Sequence, residues 1–160
     1  MLGDCFVDME EQYDKIYRYC YFRLRSRQAA EDITQETFLR YFERYQCATS
    51  EQTLRCLYTI ARNLCVDEYR RDSREAAWAQ SYSEEEKGEG DEQVLTSLLV
   101  RAAVASLEQD EQELLLLRYV NEVPIQSIAQ FYGISRFAVY RRLAAVTKRF
   151  QAALRKEGFG

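Results

Sequence analysis

The sequence predicts an all-α fold built as two small helical domains joined by a flexible acidic linker. Three observations carry this. The 160 residues include one Pro and six Gly, too little turn material for a set of hairpins. Apolar residues recur at three- and four-residue spacings in both halves, the mark of amphipathic helices. Charge is segregated: residues 1–75 carry net −2, residues 76–95 net −5 and residues 96–160 net +3, within a total of −4. The middle stretch includes Ser81-Tyr82-Ser83-Glu84-Glu85-Glu86-Lys87-Gly88-Glu89-Gly90-Asp91-Glu92 and offers almost no apolar face to bury, so it separates the domains.

In the first domain, Phe6, Met9, Tyr13, Ile16, Tyr17 and Cys20 define a first helix, which polar Ser26-Arg27-Gln28 interrupts. A second helix carries Ile33, Phe38, Tyr41, Phe42 and Tyr45 on its buried side, with Asp32, Gln35, Glu36, Arg40 and Glu43 more exposed. A polar loop from Gln46 to Gln52 follows. The third helix, Leu54 to Arg71, buries Leu57, Ile60, Ala61 and Leu64, and its closing Tyr69-Arg70-Arg71 places cations where a helix C-terminus favours them.

The second domain opens with an apolar helix, Val94 to Leu107, then a helix from about Asp110 to Val120 through Leu114-Leu115-Leu116-Leu117. Pro124 begins a third helix at its favoured first-turn position, and Gly133 ends it after Tyr132. Ser135 is a good N-cap for a last helix reaching about Leu154.

Composition narrows the function. Hydrophobic residues at 47% and aromatics at 13% exclude a disordered chain, and 30% charged residues without a long apolar run exclude a membrane span. Met1-Leu2-Gly3-Asp4 lacks the basic flank and apolar core of a secretory signal. A soluble cytoplasmic protein without membrane insertion is expected. There is no His, which removes the usual general base and the commonest zinc ligand. Hydrolase and metalloenzyme readings therefore start from behind; no enzyme activity, catalytic residue, cofactor or metal is expected. Cys5, Cys20, Cys47, Cys56 and Cys65 form no C-x-x-C pair and are odd in number, which suits core packing in a reducing compartment.

The segment Ile125 to Arg142 has the spacing of a helix-turn-helix. Ala129 permits close helix approach, Gly133 supports the turn, and Val139 packs the second helix on the first. The competing reading is an ordinary pair of packed helices. Between Arg136 and Lys156, however, lie seven basic residues, Arg136, Arg141, Arg142, Lys148, Arg149, Arg155 and Lys156, and no acid. A solvated face would mix signs, and this one favours phosphate.

Two further motif sets now become meaningful. Asp32-Ile-Thr-Gln35-Glu36-Thr-Phe38-Leu-Arg40, with Leu57-Tyr-Thr-Ile-Ala61-Arg62-Asn63-Leu64, Asp67 and Arg70-Arg71, resembles region two of bacterial sigma factors. Leu114-Leu-Leu-Leu-Arg118-Tyr119, followed by the helix-turn-helix, resembles region four. With only these regions and a short linker, the chain is similar to the extracytoplasmic-function (ECF) subfamily of RNA polymerase sigma factors, over nearly all of residues 6–155.

The resemblance implies a division of labour. Residues 1–75 would be sigma region 2, which binds core polymerase and recognises and melts the minus-ten element. Residues 96–160 would be sigma region 4, the minus-thirty-five reader. Asp32, Gln35, Glu36 and Arg40 match the face that docks on the clamp helices of the largest polymerase subunit, and carboxylates with an amide suit a basic partner. Plain solvation is the competing reading of that face. The minus-ten reader matches the loop Gln46 to Gln52 and the helix bearing Asn63, Asp67, Arg70 and Arg71. A pocket for an extruded base and cations for a single strand are what opening requires. Tyr58 and Tyr69 either stack on bases or belong to the core.

In region four this chain has Ala138, Tyr140 and Arg141 where family members often carry Thr, Lys and Ser. Tyr140, Arg141 and Ala144 are candidates for base edges, with Ser135, Arg136, Arg142 and Lys148 on phosphates. Phe137 either touches a thymine methyl or packs. The family parallel puts the acidic linker 76–95 in the polymerase cleft, so the free chain is expected to bind duplex poorly. Implied partners are core polymerase, through the clamp helices and the flap, and promoter DNA, with an anti-sigma factor left open. A stand-alone helix-turn-helix regulator would share region four but not the first-domain motifs; the other alternative is a sigma-like helix-turn-helix DNA-binding regulator that has lost initiation activity. A recombinase would need a nucleophile within a basic cluster, which the first domain does not offer.

Overall fold

The computed structural model describes residues 8–44, 49–75, 100–156 and 158, which are helical with short connections and contain no strand among the described residues. The chain divides into two compact units, Met1–Glu84 and Glu85–Gly160, a division that falls inside the acidic stretch 76–95. The described residues omit that stretch from 76 onward, together with Phe6, Tyr45 and the loop positions 46–48.

In the first unit, α1 (Met9–Leu24), α2 (Arg27–Arg44) and α3 (Ser50–Glu75) each pack on the other two. Asp8 caps α1 by accepting from the Glu10 and Glu11 amides at 3.1 and 3.2 Å. Arg25 turns the chain in the left-handed region, φ 59°, and the Ser26 hydroxyl accepts from the Ala29 amide at 3.2 Å. The polar interruption is thus a helix stop joined to a helix cap, and Arg27 and Gln28 already belong to α2. Thr49 caps α3 through the Gln52 amide at 3.2 Å. That cap starts α3 at Ser50, four residues before the expected Leu54, and takes Ser50 to Gln52 out of the expected loop. The helix also runs past Arg71, to Glu75.

The core of this unit is Ile16, Tyr19 and Cys20 from α1, Phe38 and Tyr41 from α2, and Leu57, Tyr58, Ala61, Leu64 and Cys65 from α3. Tyr19 and Tyr58 meet edge to face at 5.6 Å, a favoured aromatic geometry. This decides the role left open for Tyr58, which is core. Buried Thr34 and Thr37 donate to the carbonyls of Ala30 and Ile33, at 2.6 and 2.7 Å, so neither hydroxyl is stranded. Cys20 and Cys65 are buried free thiols and Cys56 is half-buried. The Cys65 thiol hydrogen-bonded to Cys20 lowers the Cys20 pKa; burial opposes this, and Thr34 and Arg23 assist it. Phe42, expected on the buried side, is 63% exposed. Its position lies off the seam that Phe38 and Tyr41 already fill.

In the second unit, residues 100–105 are helical and Ser106 closes them by donating to the Ala103 carbonyl at 2.6 Å. Then comes α4 (Gln109–Leu115), entered through a bond from the Glu108 amide to the Glu111 carboxylate at 3.1 Å. The expected continuous helix to Val120 changes pitch: Leu116–Val120 form a π-helical turn, with the Asn121 amide bonded five residues back to Leu116 at 2.9 Å. Pro124 is the N-cap of α5 (Ile125–Tyr132), not its first turn, because its ψ of 146° is extended. Gly133 caps α5 at φ 68°, and Ser135 starts α6 (Arg136–Lys156) by accepting from the Ala138 amide at 3.1 Å. Leu107, Leu114, Leu117, Ile128, Ala129, Val139, Leu143 and Val146 form the core. The expected contact of Ala129 with the helix carrying Val139 has its counterpart in the packing of α5 on α6. Buried Glu113 accepts from the Tyr132 hydroxyl at 2.6 Å, and Glu111 pairs with Arg149, tying α4 to α5 and α6.

A Cβ at Gly133 would meet nothing within 4 Å, so substitution there tests backbone strain alone. Gly133→Ala is expected to destabilise the second unit by about 1–2 kcal/mol, the cost of a left-handed conformation for an L-residue. Urea denaturation measures it, and an unchanged midpoint would contradict it.

Candidate nucleic-acid interface

On α6, burial of Val139, Leu143 and Val146 leaves the opposite side free. Phe137, Tyr140, Arg141, Ala144 and Lys148 are all exposed on it, spaced i, i+3, i+4, i+7 and i+11. This spacing draws one stripe along a helix. Ser135, Arg136 and Arg142 are exposed beside it. The helix carries cations without an acid, and Arg149 pairs with Glu111 of the same unit. Phe137 is 74% exposed and Tyr140 57%, so packing against the core is not what Phe137 does.

Sequence reasoning missed part of this surface. An open groove of about 460 Å³ is lined by Tyr140, Ala144, Lys148 and Gln151 of α6 and by Arg118 and Tyr119 of the π-helical turn. Arg118 donates to the Val123 carbonyl at 3.4 Å, which steadies the guanidinium at the groove edge. A change of pitch inside four consecutive leucines leaves no periodic signal, so the sequence pattern could not have set Arg118 and Tyr119 beside α6.

In the first unit two other faces are built. On α2, Asp32 and Gln35 are exposed and Glu36 is half-buried. Arg40 Nε pairs with Glu36 Oε1 at 2.9 Å. Leu39 at 58% and Phe42 at 63% exposure fall on or beside the same face. An apolar centre with a polar rim is the anatomy of a protein interface. The signal for Phe42 was present but assigned to the wrong side of the helix.

On α3, Asn63, Asp67, Arg70 and Arg71 are exposed at i, i+4, i+7 and i+8, one face again. Arg71 Nη2 lies 2.7 and 2.6 Å from the two Glu68 carboxylate oxygens, so a nucleic acid would have to compete for it. Tyr69 is 62% exposed and remains free for stacking, unlike Tyr58. Among the described residues no cluster of His, Cys, Asp or Glu could hold a metal ion, and no helix is long and apolar enough to cross a membrane.

Comparisons with known proteins bear on these faces. Residues 9–75 match the family model of Sigma-70 region 2, and residues 97–150 that of Sigma-70, region 4. The chain is 32% identical over 146 residues to the ECF RNA polymerase sigma factor BldN of Streptomyces coelicolor, an alignment covering 86% of this chain and 55% of that protein. It is 27% identical over 170 residues to the ECF RNA polymerase sigma factor SigW of Bacillus subtilis, covering 96% and 89%. The chain thus spans about half the length of the first relative and most of the second. Among solved structures, the sigma factor RpoE of Bartonella quintana, in complex with the anti-sigma factor NepR, has a similar fold: TM-score 0.61 at 18% identity, covering 89% of this chain and 91% of that one. Two family regions matched in order across most of the chain, with ECF relatives over nearly its whole length, mean that the chain belongs to the sigma-70 family, in its extracytoplasmic-function branch.

Proposed function

We propose that the chain binds core RNA polymerase and directs promoter-specific transcription initiation in the bacterial cytoplasm. Asp32, Gln35, Glu36 and Arg40, with Leu39 and Phe42 between and beside them, dock on the clamp helices of the largest subunit. Asn63, Asp67, Arg70 and Arg71 act on the minus-ten element. Tyr140, Arg141 and Ala144 meet base edges of the minus-thirty-five element while Ser135, Arg136, Arg142 and Lys148 hold phosphates. The flap of the polymerase is the partner of residues 96–160. The acidic residues 76–95 join the two readers and disfavour binding to free duplex. In this role the chain contributes recognition and no catalytic group.

The observation that carries the reading is the acid-free α6 with its exposed stripe, in a chain whose other unit matches Sigma-70 region 2. A helix-turn-helix regulator has no use for the first unit, so that alternative is not favoured. An anti-sigma factor is a further partner class for this chain; the support is the anti-sigma factor bound to its structural neighbour.

Run-off transcription by core polymerase on random promoter libraries tests this. Start sites that appear only with the chain present are expected. Their absence, with core binding lost as well, would overturn the reading. In the same system Asn63→Ala is expected to lower the open-complex equilibrium by about 1 kcal/mol, roughly fivefold, the worth of one hydrogen bond. Recruitment to duplex should stay unaltered. A normal permanganate footprint would remove Asn63 from strand opening.

A further inference from the structure

The exposed stripe on α6 begins with a residue that no phosphate can use. Phe137 sits in the first turn of the helix and is the most exposed large hydrophobic among the described residues, at 74%. Eleven residues separate it from Lys148, which places the two within about 20° of one another around the axis. Tyr140, Arg141 and Ala144 lie along the same stripe. The backbone beneath Phe137 is fixed, since the Ser135 hydroxyl accepts from the Ala138 amide at 3.1 Å. The direction of its Cα–Cβ bond is therefore set by helix geometry and not by a loop.

The N-terminal residues of a recognition helix are the ones that reach base edges in the major groove. Every base edge there presents hydrogen-bond donors or acceptors, and one presents an apolar group as well, the C5 methyl of thymine. A phenyl ring entering the groove between the cations Arg136 and Arg141 gains nothing from polar edges. Against a methyl it buries apolar surface on both sides. We propose that Phe137 is a specificity-determining residue that reads a thymine methyl in the minus-thirty-five element. The proposal rests on reading the second unit as the minus-thirty-five reader, and adds a chemical criterion at one base position.

The test uses holoenzyme reconstituted with core polymerase, and duplex promoters taken from the library selection. Each thymine of the minus-thirty-five element, on either strand, is replaced singly by deoxyuridine, which removes the methyl and leaves the pairing edge. With the unaltered chain, one such replacement is expected to weaken holoenzyme–promoter binding about fourfold, the worth of one buried methyl-sized group. With Phe137→Asn that difference should vanish, and with Phe137→Leu part of it should return. Phe137→Asn should leave affinity for core polymerase unchanged.

Equal binding of thymine and deoxyuridine promoters at every position would overturn the proposal, as would a methyl effect that persists in Phe137→Asn. A selected element without thymine on either strand would overturn it too. Loss of core affinity in Phe137→Asn would overturn it in favour of a protein contact. In all these cases promoter selection by the chain still stands, whereas failure to select any promoter overturns the functional reading and this proposal together.

Discussion

Replacing Asp32, Gln35 and Glu36 together by alanine is expected to weaken binding of the chain to core RNA polymerase by about 2–5 kcal/mol, the range for charged and polar groups truncated at a desolvated interface. At the lower end this is roughly a thirtyfold rise in Kd. The helices should be unaffected. Asp32 and Gln35 are exposed, Glu36 pairs with the half-exposed Arg40, and alanine is the best helix former. A surface ion pair such as Glu36–Arg40 is worth at most about 1 kcal/mol to folding. The exposed rings and branches beside these residues supply the apolar centre, so Leu39→Ala and Phe42→Ala should each lower affinity further while leaving the circular dichroism spectrum unchanged. Titration of labelled core measures all of this, and unaltered affinity in the triple variant would overturn the proposed docking on α2.

On α6, Arg141→Ala is expected to cost about 1–3 kcal/mol of promoter binding and to relax preference at one minus-thirty-five position, if its guanidinium makes a bidentate contact to guanine. Lys148→Ala is expected to weaken all promoters alike and to reduce the salt slope by about one unit, because a single phosphate contact releases about one counterion. Both side chains are exposed on the same stripe, so neither substitution opens a cavity, and stability should stay within a few tenths of a kcal/mol, as for surface sites in general. The measurement belongs in assembled holoenzyme, since the isolated chain is expected to bind duplex too weakly for a clean reading. If Arg141→Ala lowered every promoter equally, Arg141 would be a phosphate clamp, and base readout would fall to Tyr140 and Ala144.

Much of this molecule is local in origin, and local features are legible without a structure. The helical spacing of Met9, Ile16 and Cys20, the stop at Gly133 and the cap at Ser135 depend on neighbours within one or two turns. So does the stripe of cations on α6, since residues three, four and seven apart share a face whatever the helix packs against. The same holds for Asn63, Asp67 and Arg70 on α3. The family and its two regions were legible for another reason, the resemblance of the motifs Asp32 to Arg40, Leu57 to Arg71 and Leu114 to Arg142 to sigma regions two and four.

Other features depended on what lies across the fold. Phe42 looks like a core residue by periodicity, yet Phe38 and Tyr41 already occupy the seam and Phe42 is left outside it. Tyr58 could have stacked on a base, but Tyr19 from α1 closes on it. The helix expected through Val120 widens into a π turn, and nothing in Leu114-Leu115-Leu116-Leu117 marks where. By itself the sequence determined the helices to within a few residues, the stop at Gly133, the cap at Ser135 and the polar faces proposed to carry recognition, because these follow from short-range periodicity and charge. Only the tertiary structure decided which aromatics are buried, where the pitch changes and which side chains border the α6 groove. Close packing admits only as many large side chains as the space between helices holds, and that space is set by all the helices of a unit together.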